Sequence, residues 1–312
     1  MKISIHPRLM LCAIACTIIS VVAHAQSSAS ELERYFSTLK KSPYQTLPTS
    51  VLNDEKSEQK LLEITKSHLA DTIEIAKQKA FYITKRIGQK SKNNKVRSEA
   101  VVMLTRAFRE SDTGIISTAI EGLKGFSKDD FSRAALDTIA AAIRPHAPHL
   151  DGLLKLAGFL NLQNKQPDIQ AIVQSNAAAK TKWAARVTLA RMGDQQAIDY
   201  IVEKLKSAPI NDDFVYEVVP DLVYTRQPAI FDFLEEIIAS DTPNCMSPNP
   251  DSNKKILCGY RVMESMAFCI KDFPVKTDSS GDLEVKDYQE ALKSVRQWFA
   301  VNERYQIMKD LY

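Results

Sequence analysis

Apolar side chains recur every three or four residues through most of the chain, and the pattern is sharpest at 182–205, KWAARVTLARMGDQQAIDYIVEKL. Ala185, Leu189 and Met192 fall on one helical face, with Ala184, Thr188 and Arg191 beside them. Small side chains at 184 and 185 let a neighbouring helix approach closely. Gly193 stands where a left-handed residue closes a helix, a geometry glycine takes without strain. Asp194 suits the cap of the next helix, its carboxylate accepting from free N–H groups. That helix carries Ala197, Ile198, Ile201, Val202 and Leu205 on one side, with Asp199, Glu203, Lys204 and Lys206 mostly turned away. A hairpin this small cannot bury both stripes alone, so it requires neighbours on each side.

The same period predicts further helices at 31–41, 54–89 (as two helices or one bent one), 96–108, 115–123, 131–143, 150–162, 169–178, 214–222, 229–237, 256–272 and 283–305. Asp112 or Thr113, and Asn211 or Asp212, are expected caps. Pro220 falls inside an apolar pattern and should kink its helix, because proline removes a donor. Residues 98–106 echo 183–191 at an offset of 85, close to two repeats, and Ala229-Ile230 echo Ala197-Ile198 at an offset of 32. No alternating segment of strand length stands out between hairpin signals. The expected class is therefore all-α. The alanine-rich 183–190, the Met192-Gly193-Asp194 turn and 197–205 together resemble a HEAT-like repeat of the short bacterial type. That resemblance implies an α-α superhelix of stacked hairpins, a shape used for many unrelated roles.

Residues 1–25 read as a secretory leader, with Lys2 and Arg8 before an apolar core at 9–22 and Ala23-His24-Ala25 before the cut. The rival is lipoprotein processing before Cys16, for which the leucine three residues upstream of the cut is missing and the apolar run is short. No later stretch is long and apolar enough to span a membrane. The expected mature chain, 26–312, is one helical domain in the periplasm or outside the cell, with 283–305 as a capping helix. The whole chain carries +3, and removing Lys2 and Arg8 leaves +1, which argues against bulk attraction to nucleic acid or membranes. Residues 77–109 hold ten Lys or Arg and one acid, whereas 194–251 hold twelve acids and three bases. This split could steer an acidic partner to one end.

Cys258 and Cys269 lie about 16 Å apart along the helix expected there, too far to bond. Cys245 sits in a proline-rich loop within reach of Cys258, so Cys245–Cys258 is the favoured pair, with Cys269 buried and free. No CxxC exists and no histidine lies in that half, so neither zinc nor another cofactor is expected. Residues 144–151, RPHAPHLD, bring two histidines and an aspartate close together, but the prolines break any ligand spacing. Asp213, Glu217 and Asp221 stand four apart in one helix, where like charges repel by a few tenths of a kcal/mol. They read either as a patch that meets a basic partner or as a solvated helix face. Arg186 and Asp199, on the outer side of the 182–205 unit, are further binding candidates. No G-x-S-x-G, H-E-x-x-H, P-loop, dinucleotide or EF-hand pattern is present. Two functional readings follow. One is an exported, non-enzymatic protein-binding scaffold of the cell envelope, a role that includes inhibitors of the immunity type. The alternative is a polysaccharide-acting enzyme on an α/α scaffold, with Asp213 and Glu217 as its carboxylates.

Overall fold

The structure, a computed structural model, describes residues 28–39, 41–249, 251–278 and 282–312. The expected leader at 1–25, Cys16 included, lies outside them. The fold is all-α. It divides into two compact units, the first ending at Ile139 and the second beginning at Ala140.

The first unit contains α1 (28–39), α2 (Thr49–Asn53), α3 (Glu58–His68), α4 (Glu74–Lys90), α5 (Asn94–Thr105), α6 (Thr113–Leu123) and the start of α7 (Arg133–Ala142). The apolar run at 54–89 is thus two helices. Asp112 caps α6 by accepting from the N–H groups of Gly114 and Ile115. α3 packs on α4 and α5, and α4 on α5 and α6. α3 and α4 thus each meet their successor and the helix after that, which is how stacked hairpins bury their stripes. Gly88 is required by that closeness, because a Cβ there would sit 2.4 Å from the Ala100 Cβ. Polar bonds between successive rungs step by 33 residues: Lys66 to Glu99, Lys77 to Glu110, Arg97 to Asp130, Gln89 to the Gly122 carbonyl and Ser91 to Glu58. Within this unit the step is thus 33 residues, shorter than the half-offset of about 42 in the 98–106 echo. The same bonds change the meaning of the basic stretch. Lys77 and Arg97 are committed to acids one rung away, at 2.8 and 3.0 Å, and Lys92 reaches Glu55 at 3.7 Å.

The second unit contains the rest of α7, α8 (Leu150–Phe159), α9 (Gln166–Gln174), α10 (Ala179–Arg191), α11 (Gln195–Leu205), α12 (Val219–Thr225), α13 (Pro228–Ala239), the strands β1 (Cys245–Met246) and β2 (Lys255–Ile256), α14 (Gly259–Ala267) and α15 (Tyr288–Val301). The hairpin at 182–205 has the anticipated turn, with Gly193 at φ 89° and Asp194 accepting from the Ala197 N–H at 2.9 Å. Its first helix is more enclosed than a single stripe suggests. α8, α9, α11 and α12 all pack on α10, so Ala184, Ala185, Val187, Thr188, Leu189 and Ala190 are all buried.

Pro220 stands in the first turn of α12. It is preceded by a π-helical turn, Phe214–Val218, in which the Val219 N–H bonds back to the Phe214 carbonyl. The widened turn takes up both the missing donor and the ring that would strike the carbonyl four residues earlier. α15 is shorter than the apolar pattern implied. Asp287 caps it, accepting from Gln289 and Glu290, and it ends at Val301. Residues 302–312 run on as an extended segment. The Lys271 N–H donates to the Gln306 carbonyl at 3.0 Å, and the Met308 N–H donates to the Cys269 carbonyl at 2.7 Å. Arg191 donates to the carbonyls of Lys309 and Leu311, and Arg226 to those of Val223, Met308 and Tyr312. The segment thus crosses the C-terminal ends of α10, α12 and α14. Arg226, 2% exposed, has a left-handed backbone and sits among carbonyl oxygens, a substitute for water that suits a guanidinium.

Candidate functional site

Cys245 and Cys258 form a disulfide with Cα atoms 5.1 Å apart, and Cys269 is free and buried. Burial pushes the Cys269 thiol up to about 11, which keeps it protonated and unreactive. The disulfide closes a loop that the sequence showed only as irregular. Inside it β1 and β2 pair antiparallel, Cys245 opposite Ile256 and Met246 opposite Lys255. Two-residue strands leave no alternation to read, which is why this hairpin was not visible in the pattern. The Asp212 carboxylate accepts from the Met246 N–H at 3.0 and 3.1 Å. The covalent link therefore holds the hairpin to α14, and the carboxylate holds it to the start of the π turn.

Three elements meet around this hairpin. The π turn carries Tyr216, 56% exposed. The first turn of α14 brings Arg261, whose guanidinium carbon lies 5.6 Å from the centre of the Tyr216 ring. Arg261 also donates to Glu264 at 2.9 Å. The start of α15 brings Tyr288, whose hydroxyl donates to the other Glu264 oxygen at 2.7 Å and whose ring meets Tyr260 edge-on at 6.1 Å. Burial and the bond to Glu264 push the Tyr288 phenol up to about 12, so it remains a donor at any physiological pH. Beside these rings a cavity of about 630 Å3 is lined by Tyr260, Arg261, Tyr288, Ile256 and Leu257. The result is a set of exposed and half-buried aromatic rings with an arginine held by Glu264, beside a mainly apolar hollow. Tyr and Arg in such a setting are the residue types that dominate protein–protein binding energy.

The residues singled out in the sequence divide among three places. Asp213 and Glu217 are exposed; Asp213 immediately precedes the π turn that presents Tyr216 and Glu217 lies within it, so they border the aromatic surface. Asp221 does not join them. Its carboxylate accepts from Lys155 at 2.5 Å and from the Trp183 Nε1–H at 2.8 Å, which ties α12 to α8 and α10. The expected row of three acids is therefore broken, because the π turn and Pro220 change the helical phase between Glu217 and Asp221. Arg186 is half-buried and stacks on Tyr200 at 4.1 Å, and Asp199 accepts from Gln195 one turn earlier at 2.8 Å. General acid–base work needs a carboxyl group held in a cleft, whereas Asp213 and Glu217 are open to solvent. Tyr216, Arg261 and Tyr288 were missed in the sequence because they come from three separate elements. The one available signal was a tyrosine set between two acids in an otherwise polar position. Among the described residues no group of three or more His, Cys, Asp or Glu is placed to hold a metal ion, and no helix is long and apolar enough to cross a membrane.

The class defined by these features is an all-α chain of serially paired helices, with an aromatic surface on its second unit. Neither family models nor curated proteins match the sequence. Among solved structures the chain is similar to one from the complex of CpcE and CpcF of phycocyanin lyase from Nostoc sp. PCC7120. The two are 13% identical, with 86% of this chain and 94% of that chain covered and a TM-score of 0.47. At that identity and score the likeness bears on neither activity nor partner.

Proposed function

We propose that this chain is an exported binding protein that holds another protein against the Tyr216–Arg261–Tyr288 surface of a HEAT-like scaffold. The observation that carries the reading is the convergence of these residues from three elements onto a disulfide-linked hairpin. Glu264 restrains Arg261 and Tyr288 before any partner arrives, so these two side chains have little rotamer entropy left to lose on binding. The exposed Asp213 and Glu217 favour a partner with basic groups at the edge of its contact face. Export is supported by the leader pattern at 1–25 and by the disulfide, which suits an oxidising compartment. A scaffold of the cell envelope and an inhibitor of a secreted protein both fit this description.

The test is affinity capture from envelope extracts with wild-type protein, Tyr216→Ala and Arg261→Ala. Each variant should retain its fold and weaken capture of the same specific protein by about 30-fold or more, the threshold of a hot-spot truncation. Equal capture by wild type and both variants would remove the surface from the proposal. Recovery of the protein in the cytoplasmic fraction with its leader intact would remove export.

A further inference from the structure

A second cavity in the second unit, of about 930 Å3, lies among the 143–151 loop, α9 and the start of α10. Its size falls within the range of small-molecule sites. Ile143, Leu150 and Ile172 supply apolar lining. Arg144, His146 and His149 line it from the loop, and both histidines have left-handed backbones, at φ 62° and 52°. The two acids of the lining are each matched by a lysine, Asp151 by Lys180 at 3.4 Å and Asp168 by Lys165 at 2.5 Å. Arg144 forms no ion pair among the described residues, so the uncompensated fixed charge at this cavity is positive.

We propose that this cavity binds an amphipathic anion, with the hydrocarbon body on the apolar lining and a carboxylate or phosphate head on Arg144. Charge complementarity selects the head, since a planar guanidinium pairs with either group through two parallel hydrogen bonds. The apolar lining selects the body, because each buried methylene adds to binding. This site is separate from the aromatic surface and stands or falls independently of it.

The test is calorimetric titration of the full chain with decanoate, decyl phosphate and decyltrimethylammonium, each kept below its micelle concentration. Two variants accompany wild type: Arg144→Gln removes the head contact, and Ala171→Trp fills the cavity from the exposed side of α9. One or both anions should bind saturably, and the anion that binds identifies the head group. Arg144→Gln should weaken that binding by about tenfold, the loss of one charge-assisted pair, and Ala171→Trp should abolish it. The proposal is overturned if neither anion binds saturably, if the cation binds as tightly, or if Arg144→Gln binds the anion as wild type does.

Discussion

Replacing Asp221 by Asn separates the inward acid from its two exposed neighbours. The change keeps the size of the side chain and an oxygen for the Trp183 Nε1–H, but removes the charge facing Lys155. The side chains of Lys155 and Asp221 are 26% and 14% exposed, so the pair lies between two measured limits. Exposed pairs contribute about 0.2–1 kcal/mol, while breaking a fully buried pair costs about 3–5 kcal/mol. A loss of about 1.5–3 kcal/mol is expected at pH 7. The assay is urea unfolding followed by circular dichroism and tryptophan fluorescence, applied to Asp221→Asn, Lys155→Met and the double variant. Removing both charges should restore part of the loss, giving a coupling above about 1 kcal/mol. Asp213→Asn and Glu217→Gln should each stay within about 0.5 kcal/mol of wild type, as open surface positions do. A coupling near zero, or an Asp221→Asn loss no larger than that of Glu217→Gln, would refute the division of the three acids into one structural and two surface groups.

Two further outcomes follow from the same structure. Replacing Cys245 and Cys258 by serine opens a loop with a sequence separation of 13, which corresponds to about 3 kcal/mol of loop-closure entropy. The hairpin should then be cut by trypsin at Lys254 or Lys255 well before the helices unfold, and unchanged protease resistance would contradict the restraint assigned to the disulfide. Asp194→Ala should cost about 1 kcal/mol at neutral pH, the contribution of a helix cap. Burial raises the Asp194 pKa, but hydrogen bonds from Ala197, Gln170 and Gln166 outweigh it and hold the carboxyl below its ordinary range. A depressed folded-state pKa stabilises the fold above the unfolded value of about 3.9 and is lost as pH falls through the folded value. The difference between Asp194→Ala and wild type in urea should therefore shrink in strongly acidic buffer, and a constant difference would show that the cap does not act through its charge.

What could be read from the sequence was set by local rules. Gly193, Asp194, Asp112 and Asn211 act through their own backbone neighbourhoods, so the 182–205 hairpin and the caps were legible residue by residue. The all-α class followed from a period that does not depend on tertiary contacts. The cysteine pairing was legible because distance along the chain excluded one alternative. Other features depend on what packs nearby. α10 looked amphipathic at 185, 189 and 192, yet four helices enclose it. Asp213, Glu217 and Asp221 looked like one row, yet Pro220 and its π turn rotate the last of them inward. Lys77 and Arg97 looked like part of a free basic face, yet each meets an acid 33 residues on. The extended segment at 302–312 gave no signal, since its anchors, Arg191 and Arg226, bind backbone carbonyls and recognise no side-chain sequence. Tyr216, Arg261 and Tyr288 come together only through tertiary structure.

The most direct test of the binding role is photo-crosslinking in living cells, with a benzophenone amino acid placed at position 216 and, as a control, at position 44. Tyr44 is 94% exposed and belongs to the first unit, so it offers an open aromatic position away from the hairpin in sequence. Crosslinking from position 216 should yield one discrete protein adduct, lost when Arg261→Ala is added, with no such adduct from position 44. The same adducts from both positions, or an adduct from 216 that survives Arg261→Ala unchanged, would contradict a binding surface built from Tyr216 and Arg261.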